Sequence, residues 1–425
     1  MANRKGFKAL VALLLSVMLA ASCLPALAVD TFHGVAADGK YYTDFNTLAE
    51  AQAAAADIAK LIAAEGDVLL KNNGALPLRG NEFISVFGVA QDALAGSSAT
   101  DVNLLNALED EGFHVNKSLR AFYESVGTTF GSEAVAFNKG IENSYGLYSD
   151  VAIVVLGRGG GEGSDQPTVT DEEADEEDLA AHTGYQAQED GKIYQHFLQL
   201  TGSEKELLDY VKAQGFGKII YLINSSEIFE MDKLEKDEAI DGILWIGRPG
   251  QVGVVSAAGI LSGRINPSGK TVDTWYRDFT ADPIWQNAIN NAQVNASVTY
   301  VVEGQQAGDN NEQAGIGGSA NAYHGVDYEE GIYVGYRYYE TRGYTDGEEW
   351  YQNAVVYPFG YGLSYTSFSY ANMKVLADGE EIADGAVIDA AKLSSSVEAG
   401  RAQIEKLTVA VDVTNEGSVP GKETV

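Results

Sequence analysis

The residues best placed to do chemistry lie in the stretch GRGGGEGSDQ, positions 157–166, directly after the apolar run VAIVVL. It offers a carboxylate, Glu162, between glycines, with Arg158 four residues before it and Asp165 three residues after it. Alone, a glutamate in a loop is ordinarily a solvated charge. Here it stands beyond the end of a strand, where open α/β sheets collect their ligands, and the glycines let a bulky, hydroxyl-rich molecule come close. A carboxyl so placed is suited to giving and taking a proton. Two rival readings of the stretch fail on spacing. A dinucleotide fingerprint needs Gly at the first, third and sixth places. From Gly157 the sixth place is Glu162, and from Gly159 it is Ser164. A serine elbow fails because Ser164 is not framed as Gly-x-Ser-x-Gly.

The elements that must position this loop are readable from pattern. Thr47 and Glu50 form a capping box before an alanine-rich helix that stops at Gly66. Strands are expected from Asp67 to Leu70, from Phe83 (FISVFG), at VAIVVL, from Lys218 (KIIYLI) and from Gly242 (GILWIG). Helices are expected from an Asp101 cap to Gly112, from a Ser203/Glu206 capping box to about Gln214, and over Gln251–Leu261. Apolar strands alternating with helices predict an α/β fold, a mostly parallel sheet sandwiched by helices. After about Phe368 the pattern changes. LTVAVDVTNEGSVPG, from Leu407, alternates apolar and polar residues and closes in turn formers, as in a β-sandwich.

Composition narrows the partners. The formal net charge of -33 repels phosphates and anionic lipid, which argues against nucleic acid and membrane surfaces. The first 28 residues read as a secretory signal peptide: Arg4, Lys5 and Lys8, an apolar stretch over 9–21, and the small-residue site Ala26-Leu27-Ala28. The sole cysteine, Cys23, lies inside it, so the mature chain would hold no disulfide. Lipidation at Cys23 is the competing reading, weakened by the lack of a bulky aliphatic residue at the third preceding place. A later membrane span is not expected. The acidic run TVTDEEADEED (168–178) lacks the spacing of a calcium loop, and 305–320 reads as a surface loop. No cofactor or metal motif is visible.

Four separated motifs in order carry a resemblance: GDVLLKNNGALPL from Gly66, INPSGKT from Ile265, YEEGIYVGYRYYETRG from Tyr328 and YPFGYGLSYTSFSY from Tyr357. They resemble the α/β-sandwich domain of glycoside hydrolase family 3, and VTNEGSVPGKE, from Val413, is similar to the start of the fibronectin type III-like domain that often follows it. The implied organisation is a signal peptide (1–28), a polar entry segment (29–49), the α/β sandwich (50–367) and an incomplete fibronectin-like domain (368–425). Each motif also has a plain physical reading. Pro267-Ser268-Gly269 makes a turn, and Gly360 to Gly362 lets two chain segments pass closely. Lys71 and Asn72 fix a strand-to-loop junction. Tyr333, Tyr336, Tyr338 and Tyr339 form an aromatic layer that packs in the core rather than stacking on sugar.

In that family the acid/base glutamate lies in the pattern Arg-x-x-Gly-Glu-Gly-x-Asp. Arg158, Gly161, Glu162, Gly163 and Asp165 match it in frame. The resemblance therefore implies that Glu162 is the acid/base, with Arg158 and Asp165 binding substrate or supporting the loop. It implies hydrolysis of terminal β-glycosidic bonds with retention, of β-glucosidase type, on an oligosaccharide or aryl β-glycoside and without a cofactor. The family's nucleophile is an aspartate on a (β/α)8 barrel, which takes roughly 250 residues. The chain has no room for one. The barrel is expected downstream in a reversed domain order, or in trans, and this chain alone is expected to be inactive. The competing class is a secreted carbohydrate-binding or interaction module without catalysis.

Overall fold

The computed structural model describes residues 45, 47–91, 102–126, 137–158, 198–200, 202–284, 330–383 and 406–425. Glu162, Asp165, the acidic run, the 305–320 loop, the leader and Asp101 lie outside them. The chain divides into two compact units, residues 1–56 and 57–425. In the first, Thr47 Oγ1 accepts from the Glu50 amide at 3.1 Å, opening the helix α1 (Leu48–Gly66).

The second unit is built on a six-stranded sheet. Its strands are β1 (Val68–Asn72), β2 (Phe83–Phe87), β3 (His114–Val115), β4 (Val151–Gly157), β5 (Ile219–Asn224) and β6 (Gly242–Trp245). The order is β1-β6-β5-β4-β2-β3, parallel throughout except for β1, which pairs antiparallel with β6. This is the α/β fold, with a mostly parallel sheet, that the sequence predicts.

Helices α2 (Leu104–Asp110), α3 (Lys117–Val126), α4 (Lys139–Tyr145), α5 (Gly202–Ala213), α6 (Asp232–Lys236) and α7 (Val254–Ser262) cover it. Alternate residues of each strand feed opposite cores. Ala152, Val154 and Leu156 join Tyr221, Ile223 and Ile243 under α3 to α6. Val151, Ile153 and Val155 join Ile220, Leu222 and Leu244 under α2 and α7. Each fully buried Val, Leu or Ile contributes about 1.5–3 kcal/mol, so the double cover is the main source of cohesion.

Three helix starts differ from expectation. The α2 cap is Asn103, whose side-chain oxygen accepts from the Asn106 amide at 2.9 Å. Helix α5 begins at Gly202, which puts Ser203 inside the first turn rather than at the cap. Helix α7 is shorter than Gln251–Leu261 at its start; Gln251 to Gly253 form turn rather than helix.

Beyond α7, a two-stranded ribbon joins β7 (Trp275–Tyr276) to β8 (Val355–Tyr357), with α8 (Tyr336–Asp346) and α9 (Glu348–Ala354) between them in sequence. Trp275 packs edge-on to Trp245 and Tyr357, which seats the ribbon on the sheet. The expected tyrosine layer splits. Tyr339 is buried, with its hydroxyl donating to Asp282 Oδ2 at 2.8 Å and its ring stacked on Tyr276. Tyr333 and Tyr336 are exposed instead, Tyr336 lying against Phe359. Lys71 and Asn72 do hold a junction. Lys71 Nζ donates to the Glu235 and Asp237 carbonyls, and Asn72 Oδ1 accepts from the Gly74 and Leu76 amides.

The chain then forms an antiparallel sheet ordered β10-β9-β11, from β9 (Phe368–Ala377), β10 (Glu380–Glu381) and β11 (Leu407–Asn415). A bulge with Asn372 at φ 52° shifts the register near Asp412.

Candidate functional site

The sheet order reverses between β2 and β4. From β2 the chain goes outward to β3 through α2, which lies on one face. From β4 it proceeds in the opposite direction through α5, on the other face. Connections that leave neighbouring strands for opposite faces open a crevice at the strands' carboxyl ends, the usual ligand place in such sheets. Arg158, and beyond it the GGGEG stretch, follows β4 at this point.

The backbone there is tightly packed. Gly88, just after β2, has φ +99°, and an added Cβ would lie 2.2 Å from the Val155 carbonyl oxygen. A Cβ on Gly157 would lie 2.7 Å from that of Ala90. Only glycine allows both approaches. The Gly88 amide donates to the Tyr123 hydroxyl at 2.9 Å. Gln91 Nε2 donates to the Val86 and Gly88 carbonyls, which ties the turn after β2.

Arg158 is buried and its guanidinium faces inward. It pairs through both terminal nitrogens with Glu204 at the start of α5. Nη1 also donates to the Gly157 carbonyl at 2.9 Å and Nη2 to the Gln199 carbonyl at 2.8 Å, and the group lies over the Phe229 ring. The Arg158 amide donates to the Asn224 carbonyl at the end of β5. Gln199 Nε2 in turn donates to Glu230 Oε1 at 2.7 Å, and the Glu230 amide donates to the Leu198 carbonyl. Residues 158 and 198–199, which flank the segment carrying Glu162 and Asp165, are thus held by one network. A planar, fork-like guanidinium suits this task, because it satisfies a carboxylate and two carbonyls at once.

The geometry assigns Arg158 an anchoring contact. The positions of Glu162 and Asp165 relative to it lie outside the described residues. Close by, burial lowers the pKa of Lys205, with Lys233 adding repulsion and Glu204 and Glu230 opposing both.

Glu204, Gln199, Glu230 and Phe229 were not singled out for this role from sequence. Glu204 is 46 residues from Arg158 and belongs to no shared motif; a lone acid in a helix's first turn is its only signal. No group of three or more His, Cys, Asp or Glu side chains able to hold a metal occurs among the described residues, and no helix there is long and apolar enough to cross a membrane.

Residues 67–336 match the glycosyl hydrolase family 3 C-terminal domain. The chain belongs to glycoside hydrolase family 3. Among curated relatives, beta-glucosidase A of Butyrivibrio fibrisolvens is 30% identical over 85% of this chain and 40% of its own length. A beta-glucosidase of Ruminococcus albus is 27% identical over 85% of this chain and 31% of its own. Beta-glucosidase 3B of Thermotoga neapolitana, solved in complex with glycerol, superposes with a TM-score of 0.55 at 26% identity, over 80% of this chain and 41% of that one. The chain therefore spans 31% to 41% of the length of these relatives. The family match and the superposition agree with the α/β domain that the motifs imply.

Proposed function

We propose that this chain is the acid/base half of a secreted, retaining β-glycosidase of β-glucosidase type, with Glu162 as proton donor and acceptor. The nucleophilic carboxylate would come from a barrel domain supplied downstream or in trans. Relatives named beta-glucosidase support the substrate class. The observation that carries the reading is the place of the Glu162 segment. It departs from the carboxyl end of β4 where the sheet order reverses, with its flanks tied by Arg158.

In the first step the nucleophile's oxygen bonds to the anomeric carbon. The bond from that carbon to the leaving oxygen breaks, and that oxygen takes the proton of Glu162. In the second step Glu162 removes a proton from water, whose oxygen replaces the nucleophile and restores it. Retention needs the two carboxyls roughly 5–5.5 Å apart. Glu162 must begin protonated, so its pKa must be raised by exclusion of water or by the second carboxylate. Arg158, with its charge held by Glu204, serves the loop rather than the sugar. Asp165 supports the loop or contacts substrate. Residues 368–425 form the first part of a fibronectin type III-like domain, and residues 1–28 are a leader cleaved after Ala28.

The test is Glu162→Ala in the protein that unites this chain with its nucleophile. With an aryl β-glucoside of good leaving ability, the second step should slow by about 10²- to 10⁴-fold. Azide should restore turnover and yield a β-glycosyl azide, because the anion attacks without needing a base. Unchanged rates without rescue would remove Glu162 from the mechanism. Steady turnover by the purified 425-residue chain would refute the division of labour.

A further inference from the structure

Asp67, the residue before β1, is buried, with 1% of its surface exposed. Among the described residues the one side chain bonded to its carboxyl is Ser256, in the first turn of α7, with Oγ 2.5 Å from Oδ2. The same Oγ lies 2.7 Å from the Gly253 carbonyl oxygen. A serine hydroxyl carries one hydrogen, and a carbonyl and a carboxylate both only accept. With an ionised Asp67 the single hydrogen must be shared between two acceptors and a buried charge is left without a cation. With a protonated Asp67 every contact is made. The carboxyl donates to Ser256 Oγ, and Ser256 donates to Gly253.

Among the described residues, no cation pairs with the Asp67 carboxyl to compensate the alternative. On the surrounding elements, Glu65 at the end of α1 pairs with Lys422. Lys270 donates to the Gly362 carbonyl and pairs with Glu423. Arg264 pairs with Glu111, and Lys71 is bound to carbonyls at the end of α6. Tyr361 and Tyr365 donate to the Leu70 and Ile260 carbonyls. Helix α7 itself carries no charged residue.

The position matters because the backbone is layered over Asp67. A Cβ on Gly269 would lie 2.3 Å from the Asp67 carbonyl oxygen, and one on Gly362 would lie 2.1 Å from that of Gly269. The Leu363 amide donates to the Leu69 carbonyl at 2.9 Å. Two of the family motifs are therefore stacked on the first residues of β1. The same turns hold the final segment of the chain: Asn266 Nδ2 donates to the Pro420 carbonyl, beside the Lys270–Glu423 pair. Asp67 lies beneath the attachment of the β9–β11 sheet.

We propose that Asp67 keeps its proton at neutral pH and that this proton fastens β1 to α7, so that the seam under the β9–β11 sheet weakens as pH rises out of the acid range. Burial pushes the carboxyl up to about 8, only partly offset by the Ser256 hydrogen bond. The folded protein therefore holds this proton more tightly than the unfolded chain, whose ordinary value is 3.8. The contribution to stability is complete in acid and declines as pH rises from 3.8 to about 8, beyond which it stays lost.

Asp67→Asn supplies a permanent donor to Ser256 and tests the proposal. Across the window, the unfolding constant of wild type relative to Asp67→Asn should rise about tenfold per pH unit, then level off. A ratio independent of pH, or one that falls, overturns it. Should the variant not fold, carboxyl ¹³C titration of wild type decides. An Asp67 midpoint above pH 7 supports the proposal, and one below pH 5 refutes it. Hydrogen exchange, corrected for its own pH dependence, locates the effect. Protection that declines first at 67–70 and 269–271 as pH rises toward 8, and then levels off, is the expected pattern. Loss spread evenly over β4 and β5 contradicts the seam.

Discussion

The six-stranded sheet and the β9–β11 sheet are opposites in how they are covered. Strand β4 is buried on both faces, and its residues 151–156 alternate between two cores. Strands β9 and β11 have no fully buried residue. Yet the pairing of β11 with β9 gathers Leu407, Val409, Val411 and Val413 with Val375, Tyr370 and Phe368 on one face, an apolar surface of the kind a second sheet covers. The difference separates what pairing does from what packing does. Backbone pairing aligns β9 with β11, apart from one bulge, much as it aligns β4 with β5, but area removed from water supplies most of the cohesion.

Three substitutions would break or sharpen that contrast, in descending order of effect. Arg158→Ala, at the end of the covered sheet, leaves Glu204 half of a dismantled buried pair. It should cost about 3–5 kcal/mol in urea unfolding. A cost below about 1 kcal/mol would mean that the pair is solvated and the flanks of the Glu162 segment are not held through it. Leu222→Ala empties part of the core between β5 and α7 and should cost about 3 kcal/mol. Val409→Ala, on the open face of β11, should change stability by less than about 0.5 kcal/mol. If Val409→Ala costs as much as Leu222→Ala, that face is covered in solution and the contrast fails. Hydrogen exchange should rank the regions alike, with β4 and β5 amides opening only on global unfolding and β9 and β11 amides at lower free energy.

Much of the fold was legible because its signals are local. The apolar runs at 151–156, 219–223 and 243–246 could be satisfied only by burial on both faces, which forces helices onto a parallel sheet. The Asn72 half of the strand-end junction was legible too, since its contacts lie within four residues, whereas Lys71 reaches carbonyls at the end of α6, more than 160 residues away. The tyrosines of 333–339 were not resolved by type. Tyr339 and Tyr336 are the same residue three apart on adjoining turns, and only the approach of Tyr276 and Asp282 puts one inside and leaves the other out.

The candidate site divides in the same way. Sequence singled out Glu162, Arg158 and Asp165, because a glycine-framed carboxylate after a strand is a pattern within ten residues. It could not supply Glu204, Gln199 or Glu230, whose contacts with Arg158 and one another span 31 to 46 residues and follow no period. Nor could it distinguish Asp67 from any other acid before a strand.

By itself, the order of residues determined the strand and helix alternation and the family, and singled out Glu162 as the candidate acid following β4 in the chain. Those depend on side-chain periodicity and backbone permissiveness, which each short segment carries with it. Tertiary structure alone decided that Arg158 faces inward to a carboxylate and that Asp67 is sealed against Ser256. The state of a charge depends on what surrounds it in three dimensions, and both environments are assembled from segments far apart in the chain.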